Sequence, residues 1–195
     1  MARSATVTRK TGETDITVTL DLDGTGVCDI STGVGFFDHM LSALGRHSLC
    51  DLTVHATGDT WVDDHHTVED VGIVLGQALA QALGDKSGIT RFSDVTAPMD
   101  EALVLAAIDV SGRGELYWDV PIAAQKVGTF DTELVKEFWL AFVRTLGATV
   151  DFQQMAGENS QHIIEGMFKA VARAIRGAVE IDPRVQGVPS TKGSL

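Results

Sequence analysis

The sequence predicts an α+β chain made by internal duplication, and three observations carry that prediction. Asp64-His65-His66-Thr67-Val68-Glu69 returns in the second half as Ser160-Gln161-His162-Ile163-Ile164-Glu165, each a polar start, two neighbours and a Glu at i+4 that leads into an apolar run. Phe36-Phe37-Asp38-His39-Met40-Leu41 is echoed by Phe130-Asp131 and then by Glu137-Phe138-Trp139-Leu140. Segments that alternate apolar and polar residues, the period of a half-buried strand, stand among these helical stretches. Two copies in 195 residues are halves of one domain, not a solenoid.

Taken in order, Ala5 to Lys10 and Asp15 to Leu22 read as strands joined by a hairpin at Thr11-Gly12-Glu13, where Glu13 has the pattern of a solvated loop acid. Asp23-Gly24-Thr25-Gly26 is a turn, Val27 to Ser31 a third strand, and Gly33-Val34-Gly35 breaks it before a helix from Phe36 to about Arg46. Asp51 to Ala56 alternates as a strand and turns His55 to solvent with Asp51 and Thr53. A helix capped by Asp64 runs to Leu83 and stops at Gly84. Ala102 to Val110 and Glu115 to Val120 are strands around the turn Ser111-Gly112-Arg113-Gly114. A helix from about Thr132 to Leu146, a strand from Ala148 to Gln153 and a helix to about Val179 complete the second half. The tail from Pro183 to Leu195 is rich in turn formers, the composition of a disordered end, while its Ser, Thr, Lys and Gly also suit a phosphate.

The helix starts carry the chemistry. Spaced at i and i+4, His65 and Glu69 meet on one face, while His66 points roughly 100° away and can serve a second ion. A solvated first turn explains the acids through the helix macrodipole but not two adjacent histidines. His39, beside the apolar stripe of Phe36, Met40 and Leu44, becomes a third candidate ligand, and His47 falls at its helix end. Arg91 and Arg113 stand among turn residues, as ordinary surface arginines or as a grip on phosphate or carboxylate.

Composition excludes several classes. The net charge of −12 and a sequence pI ≈ 4.7 argue against nucleic acid or an anionic membrane as partner. Cys28 and Cys50 lack zinc-site or disulfide-framework spacing, which fits a reducing compartment. Met1 to Lys10 has no apolar core of a signal peptide, and the longest apolar run, Ala102 to Ile108, is far too short for a bilayer. The expected location is the cytoplasm.

Several ordered stretches together resemble the imidazoleglycerol-phosphate dehydratase family of histidine biosynthesis: Asp21-Leu22-Asp23-Gly24-Thr25-Gly26, Phe36 to Leu41, Asp64 to Asp70, Pro98-Met99-Asp100-Glu101, Ser111-Gly112-Arg113 and Pro189-Ser190-Thr191-Lys192-Gly193. The resemblance covers nearly the whole chain. It implies two four-stranded sheets, each covered by helices on one face in ribosomal protein S5 domain 2-like halves. The repeats would span about 1–92 and 93–182 of a single domain, with 183–195 as a substrate-binding tail. It further implies a 24-subunit homo-oligomer built from trimers, with two Mn²⁺ per active site between subunits. The implied metal ligands are His39, His65, His66, Glu69, Glu137, Gln161, His162 and Glu165. Substrate contacts fall on Glu13, His39, His47, His65, Arg91, Arg113, Ser190, Thr191 and Lys192, and Glu13, Glu69 and Glu165 are the implied catalytic carboxylates.

The implied reaction is dehydration of imidazoleglycerol phosphate to imidazoleacetol phosphate. Its carbon-bound proton is not acidic alone, so metal on the ring nitrogens would serve as Lewis acid. Glu13 would move protons, and the arginines with Lys192 would hold the phosphate. Nitrogen and oxygen ligands suit Mn²⁺, Fe²⁺ or Zn²⁺ alike. Gln161 replaces the first His of the family's second pair, Asp151 a His ending the preceding strand, and Glu137 another His. The alternative expectation is a metal-stabilised shell with weakened catalysis. The order His-His-x-x-Glu, with no free Glu between ligands, argues against a His-Glu-x-x-His hydrolase.

Overall fold

The computed structural model describes residues 2–195. The first half runs β1 (Ser4–Lys10), β2 (Thr14–Asp21), β3 (Cys28–Ser31), α1 (Gly35–Ser48), β4 (Asp51–Gly58) and α2 (His65–Leu83). The second half runs β5 (Phe92–Met99), β6 (Ala102–Asp109), β7 (Glu115–Asp119), a two-residue ribbon of β8 (Lys126–Val127) and β9 (Phe130–Asp131), α3 (Leu134–Leu146), β10 (Thr149–Ala156) and α4 (Ser160–Val179). The first sheet has the order β1-β2-β4-β3 and the second β5-β6-β10-β7, the same path in both halves. In each, the last-laid strand runs antiparallel to the second and parallel to the third. This topological identity is the duplication expected from the repeated helix starts.

Alternation sets which face of each sheet is covered. In β2, Ile16, Val18 and Leu20 are buried, while Thr17 and Thr19 point outward, where they pair with the hydroxyls of Thr8 and Thr6 at 3.1 and 3.0 Å. In β6, Ala102, Val104, Ala106 and Ile108 repeat the pattern. On these inner faces α2 lies against β1 and β2, and α4 against β5 and β6. Helices of one half then meet helices of the other, α2 on α3 and α1 on α4. A single cluster of buried side chains runs through all four. At its centre Trp139 packs edge-to-face against Phe138 and Phe142 and at a tilt against Phe152 and Phe168, with ring centroids 4.8 to 5.4 Å away. The α2–α3 contact is close because Gly72 and Gly76 face α3: a Cβ there would sit 2.6 Å from the Phe138 carbonyl oxygen and 2.5 Å from that of Phe142.

Local chemistry shifts some boundaries from those expected. Asp64 holds the cap position of α2 without a side-chain cap bond, and Asp63 Oδ1 instead accepts from the His65 N–H at 2.8 Å. The α1 start is fixed by Asp38 Oδ1, which accepts from the Thr32 backbone N–H and hydroxyl at 2.9 and 2.6 Å, so the helix begins at Gly35. Phe130 and Asp131 form β9 and not a helix start, since Thr132 donates its hydroxyl to the Ala124 carbonyl and delays α3 to Leu134. The strand pattern of Phe92–Met99 was hidden by Pro98, which falls at the edge of the sheet. His55 is exposed as expected and reaches Asp29 at 3.1 Å, and both cysteines are free. Ala2 to Lys10 leads into and forms β1; Met1 lies outside the described residues.

Candidate metal and substrate site

The first group of candidates gathers where α2 meets the β1–β2 hairpin. Thr11 Oγ1 accepts from the N–H groups of Glu13 and Thr14 at 3.1 and 3.0 Å, which closes the turn and holds Glu13 at its tip. The Thr14 hydroxyl donates to Asp70 Oδ2 at 2.5 Å, and Arg9 reaches Asp70 Oδ1 at 3.1 Å, so the hairpin is tied to the buried face of α2. On the open face His65 Nε2 and Glu69 Oε2 stand 3.8 Å apart, as the i, i+4 spacing requires. His66 Nδ1 lies 3.2 and 3.1 Å from the two oxygens of Asp59 and 3.8 Å from Glu13 Oε2. Ligand atoms of Glu13, Asp59 and His66 lie within 4.8 Å of one another. The hydrogen bond to Asp59, with Glu13 adding attraction, raises the His66 imidazole above its ordinary value.

The second group joins α1 to α4. His39 Nε2 lies 3.5 Å from Glu165 Oε2, and Lys169 Nζ lies 2.7 Å from Glu165 Oε1. Burial alone would raise the Glu165 carboxyl; the Lys169 hydrogen bond overcomes it and holds it below the ordinary range. One turn earlier, His162 Nδ1 meets Glu101 Oε2 at 2.7 Å. Glu101 Oε1 also accepts from the N–H groups of Asn159 and Glu158 at 2.9 and 3.3 Å, and the His162 bond leads in lowering this carboxyl to about 2. His162 is raised in turn by Glu101. Asn159 caps α4 by accepting from the N–H groups of Gln161 and His162. Gln161 is exposed on this first turn, and Glu137 is half-buried on α3. His47 is pushed down by burial, then by the charges of Lys169, Arg173 and Arg46.

The arginines converge elsewhere, on Asp109. Arg91 sits in the left-handed region with φ 74° and donates Nε and Nη2 to the two oxygens of Asp109 at 2.7 and 3.1 Å. Its Nη1 donates to the Pro189 carbonyl at 2.9 Å, so the tail is latched beside it. Ser190 is half-buried and Thr191 and Lys192 are exposed, one to three residues beyond this latch. Arg113 touches Asp109 only at 3.4 Å and is 61% exposed, against 13% for Arg91. Arg113 is thus the freer cation.

The donors fit a divalent ion. Two imidazole nitrogens face carboxylate oxygens at 3.5 and 3.8 Å. Two ligands bound about 2.1 Å from one ion lie roughly 3 Å apart, so small side-chain adjustment suffices. All donors are nitrogen or oxygen. Among the described residues, His39, His162 and Glu165 are gathered in one place and Glu13, His65, His66 and Glu69 in another. Asp59, Glu101, Lys169 and Asp109 escaped sequence reading. Asp59 belongs to no motif of the sequence, Glu101 lies in a stretch with no other ligand type but Asp100, and Asp109 falls inside the strand expected from Ala102 to Val110.

Comparison with known proteins adds to this geometry. Residues 32–175 match the family described as Imidazoleglycerol-phosphate dehydratase. The imidazoleglycerol-phosphate dehydratase of Dinoroseobacter shibae is 61% identical over 194 residues, 99% of this chain and 100% of the relative. Among crystal structures, the imidazoleglycerol-phosphate dehydratase from Staphylococcus aureus superposes with a TM-score of 0.84 at 37% identity, over 92% of this chain and 99% of the other. The IGPD from Pyrococcus furiosus gives 0.84 at 39% identity, over 97% and 100%.

Proposed function

We propose, since the chain belongs to the imidazoleglycerol-phosphate dehydratase family, that it removes water from D-erythro-imidazoleglycerol phosphate to give imidazoleacetol phosphate, a step of histidine biosynthesis. The observation that carries this reading is the meeting of hairpin Glu13 with His66 at the start of a helix that also presents His65 and Glu69. Such a site joins a mobile-proton carboxylate to ligands for an imidazole-polarising ion.

The residues that would hold metal are His39, His65, His66, Glu69, Glu137, Gln161, His162 and Glu165. A bound divalent ion, Mn²⁺ in this reading and two per site, supplies Lewis-acid polarisation of the substrate ring. Glu13, at the tip of a pinned hairpin, takes or gives the carbon-bound proton beside that ring. Arg113 with Ser190, Thr191 and Lys192 grips the phosphate, and Arg91 places the tail for it through Pro189. Phosphate binding far from the reacting carbons orients them, since remote binding energy is realised as alignment. His39, His47 and His65 contact the substrate, with Glu69 and Glu165 joining Glu13 as the catalytic carboxylates.

The separate placement of the His39–Glu165 and His65–Glu69 pairs supports sites completed by a second copy of the chain, in a homo-oligomer of 24 subunits built from trimers. We read the chain as one domain of two repeats, about 1–92 and 93–182, with the tail 183–195 serving the substrate. Among the described residues no helix is long and apolar enough to cross a membrane, and we place the enzyme in the cytoplasm. The test is turnover of imidazoleglycerol phosphate by the purified protein with and without Mn²⁺. Product formation that is lost on chelation and restored by Mn²⁺ supports the reading; no product at saturating Mn²⁺ defeats it. The exposed amide of Gln161 favours a second reading, a shell-forming homologue with weakened catalysis, which would keep its assembly in that same experiment.

A further inference from the structure

His66 and His162 hold equivalent places in the two halves, second residue of the helix start in α2 and third in α4, and each has its Nδ1 against a carboxylate. The carboxylates are not equivalent. Asp59 comes from the connection between β4 and α2, whereas Glu101 comes from the β5–β6 turn. By topology the counterpart of Glu101 is Glu13, in the β1–β2 turn. Yet Glu13 stands 3.8 Å from His66 Nδ1, beyond hydrogen-bond reach, because both oxygens of Asp59 occupy that nitrogen. Asp59 is buried, and its backbone N–H donates to the Glu13 carbonyl at 3.1 Å, so the loop and the hairpin are fixed to each other.

A carboxylate on Nδ1 accepts its N–H and fixes the tautomer in which Nε2 carries the lone pair, which turns the ring and raises its basicity toward a metal. We propose that Asp59 and Glu101 are positioning residues that aim Nε2 of His66 and His162 at metal, and that Asp59 does so in place of Glu13, leaving Glu13 free for proton transfer. In the second half the turn carboxylate is consumed by this orienting task. In the first half a recruited aspartate releases it. The inference rests on the dehydratase reading for the role of Glu13, but its metal arm does not.

The experiment uses the full chain stripped of metal, with Mn²⁺ affinity measured by chelator competition and turnover measured at saturating Mn²⁺. Glu101→Ala should weaken Mn²⁺ binding by about ten- to a hundredfold, the usual effect of losing such an outer partner, and Asp59→Ala by less, because Glu13, 3.8 Å from His66 Nδ1, can take the vacated nitrogen. Asp59→Asn keeps an oxygen for Nδ1–H, holds Glu13 off that nitrogen and should retain more kcat than Asp59→Ala, and Asp94→Asn, on the outer face of β5, should match wild type. At saturating Mn²⁺, Glu101→Ala should regain its kcat. Asp59→Ala should not: with Nδ1 vacant, Glu13 moves onto it, and kcat stays down by about a hundredfold, the low end of an acid–base contribution, with KM little changed. Adding Glu13→Gln to Asp59→Ala should then cost almost nothing more. Wild-type Mn²⁺ affinity in both alanine variants, with circular dichroism showing them folded, overturns the proposal, as does full kcat for Asp59→Ala at saturating Mn²⁺. A wild type that binds Mn²⁺ without turnover would instead overturn the dehydratase reading, and the affinity measurements would still decide the orienting role.

Discussion

Gly76→Ala perturbs the crossing of α2 over α3, on which the relation of the two halves depends. A Cβ at Gly76 would meet the Phe142 carbonyl oxygen at 2.5 Å, the Leu146 nitrogen at 3.0 Å and Thr145 Oγ1 at 2.1 Å, where ordinary contact begins at 3.4 Å. The Thr145 rotor can turn away, at the loss of its bond to the Ile73 carbonyl at 3.0 Å, a net cost of about 1 kcal/mol. The Phe142 carbonyl belongs to the helix backbone and cannot turn. The helices must part by about 1 Å in an interior packed as densely as a crystal, and such overpacking costs about 1–3 kcal/mol. Alanine returns about 1 kcal/mol through its better helix propensity. The balance is a loss of about 1–3 kcal/mol, read by urea denaturation as a lower midpoint at unchanged slope. Gly72→Ala, one turn away, should lose a similar amount. The double variant should lose less than the two together, because a crossing opened once accommodates both methyls. Equal or greater stability of Gly76→Ala would show that the close approach is not a packing requirement.

Three further outcomes are expected. Replacement of His65 or His66 by Ala should lower bound metal per subunit in elemental analysis and abolish turnover; unchanged metal content in both would remove α2 from the metal site. Arg113→Ala should weaken inhibition by inorganic phosphate by about tenfold, as loss of a charge-assisted contact implies, with metal content unchanged; equal inhibition would return Arg113 to an ordinary surface role. In metal-free protein followed by NMR, His66 and His162 should titrate above 6.5 and His47 below it, and a common value for all three would refute the assigned contacts. The stability consequence has a definite sign. The raised His162 stabilises the metal-free fold fully below 6.5 and loses that contribution as pH rises through its folded value, while Glu101 contributes above 4.5 and is lost as pH falls through about 2.

The sequence made the duplication legible because the repeated helix starts combine a side-chain spacing with an apolar continuation, and both survive as local patterns. It located the strands of the first sheet for the same reason, since β2 alternates without interruption. It failed where partners come from elsewhere in the chain. Nothing near Asp59 in sequence announces an imidazole seven residues on, and Glu101 meets His162 across 61 residues. Arg91 and Arg113 were legible as a pair but not as unequal, because their difference lies in how Asp109 divides itself between them. The tail read as disordered by composition, yet two of its carbonyls place it, Gly187 accepting from the Gly88 N–H at 2.8 Å and Pro189 from Arg91.

The unbroken core through four helices bears on how such a chain could arise. In either half made alone, side chains that now meet the other half, Phe37, Leu75 and Leu79 in one and Phe138 and Phe142 in the other, would face water. A lone half therefore needs a mate, and the nearest one is a copy of itself, related by a twofold axis where the fused chain has only an approximate one. Fusion removes the concentration dependence of that pairing and lifts the demand that both halves stay alike. Once paired in a single polypeptide, each half could acquire different side chains at matching places without spoiling its mate.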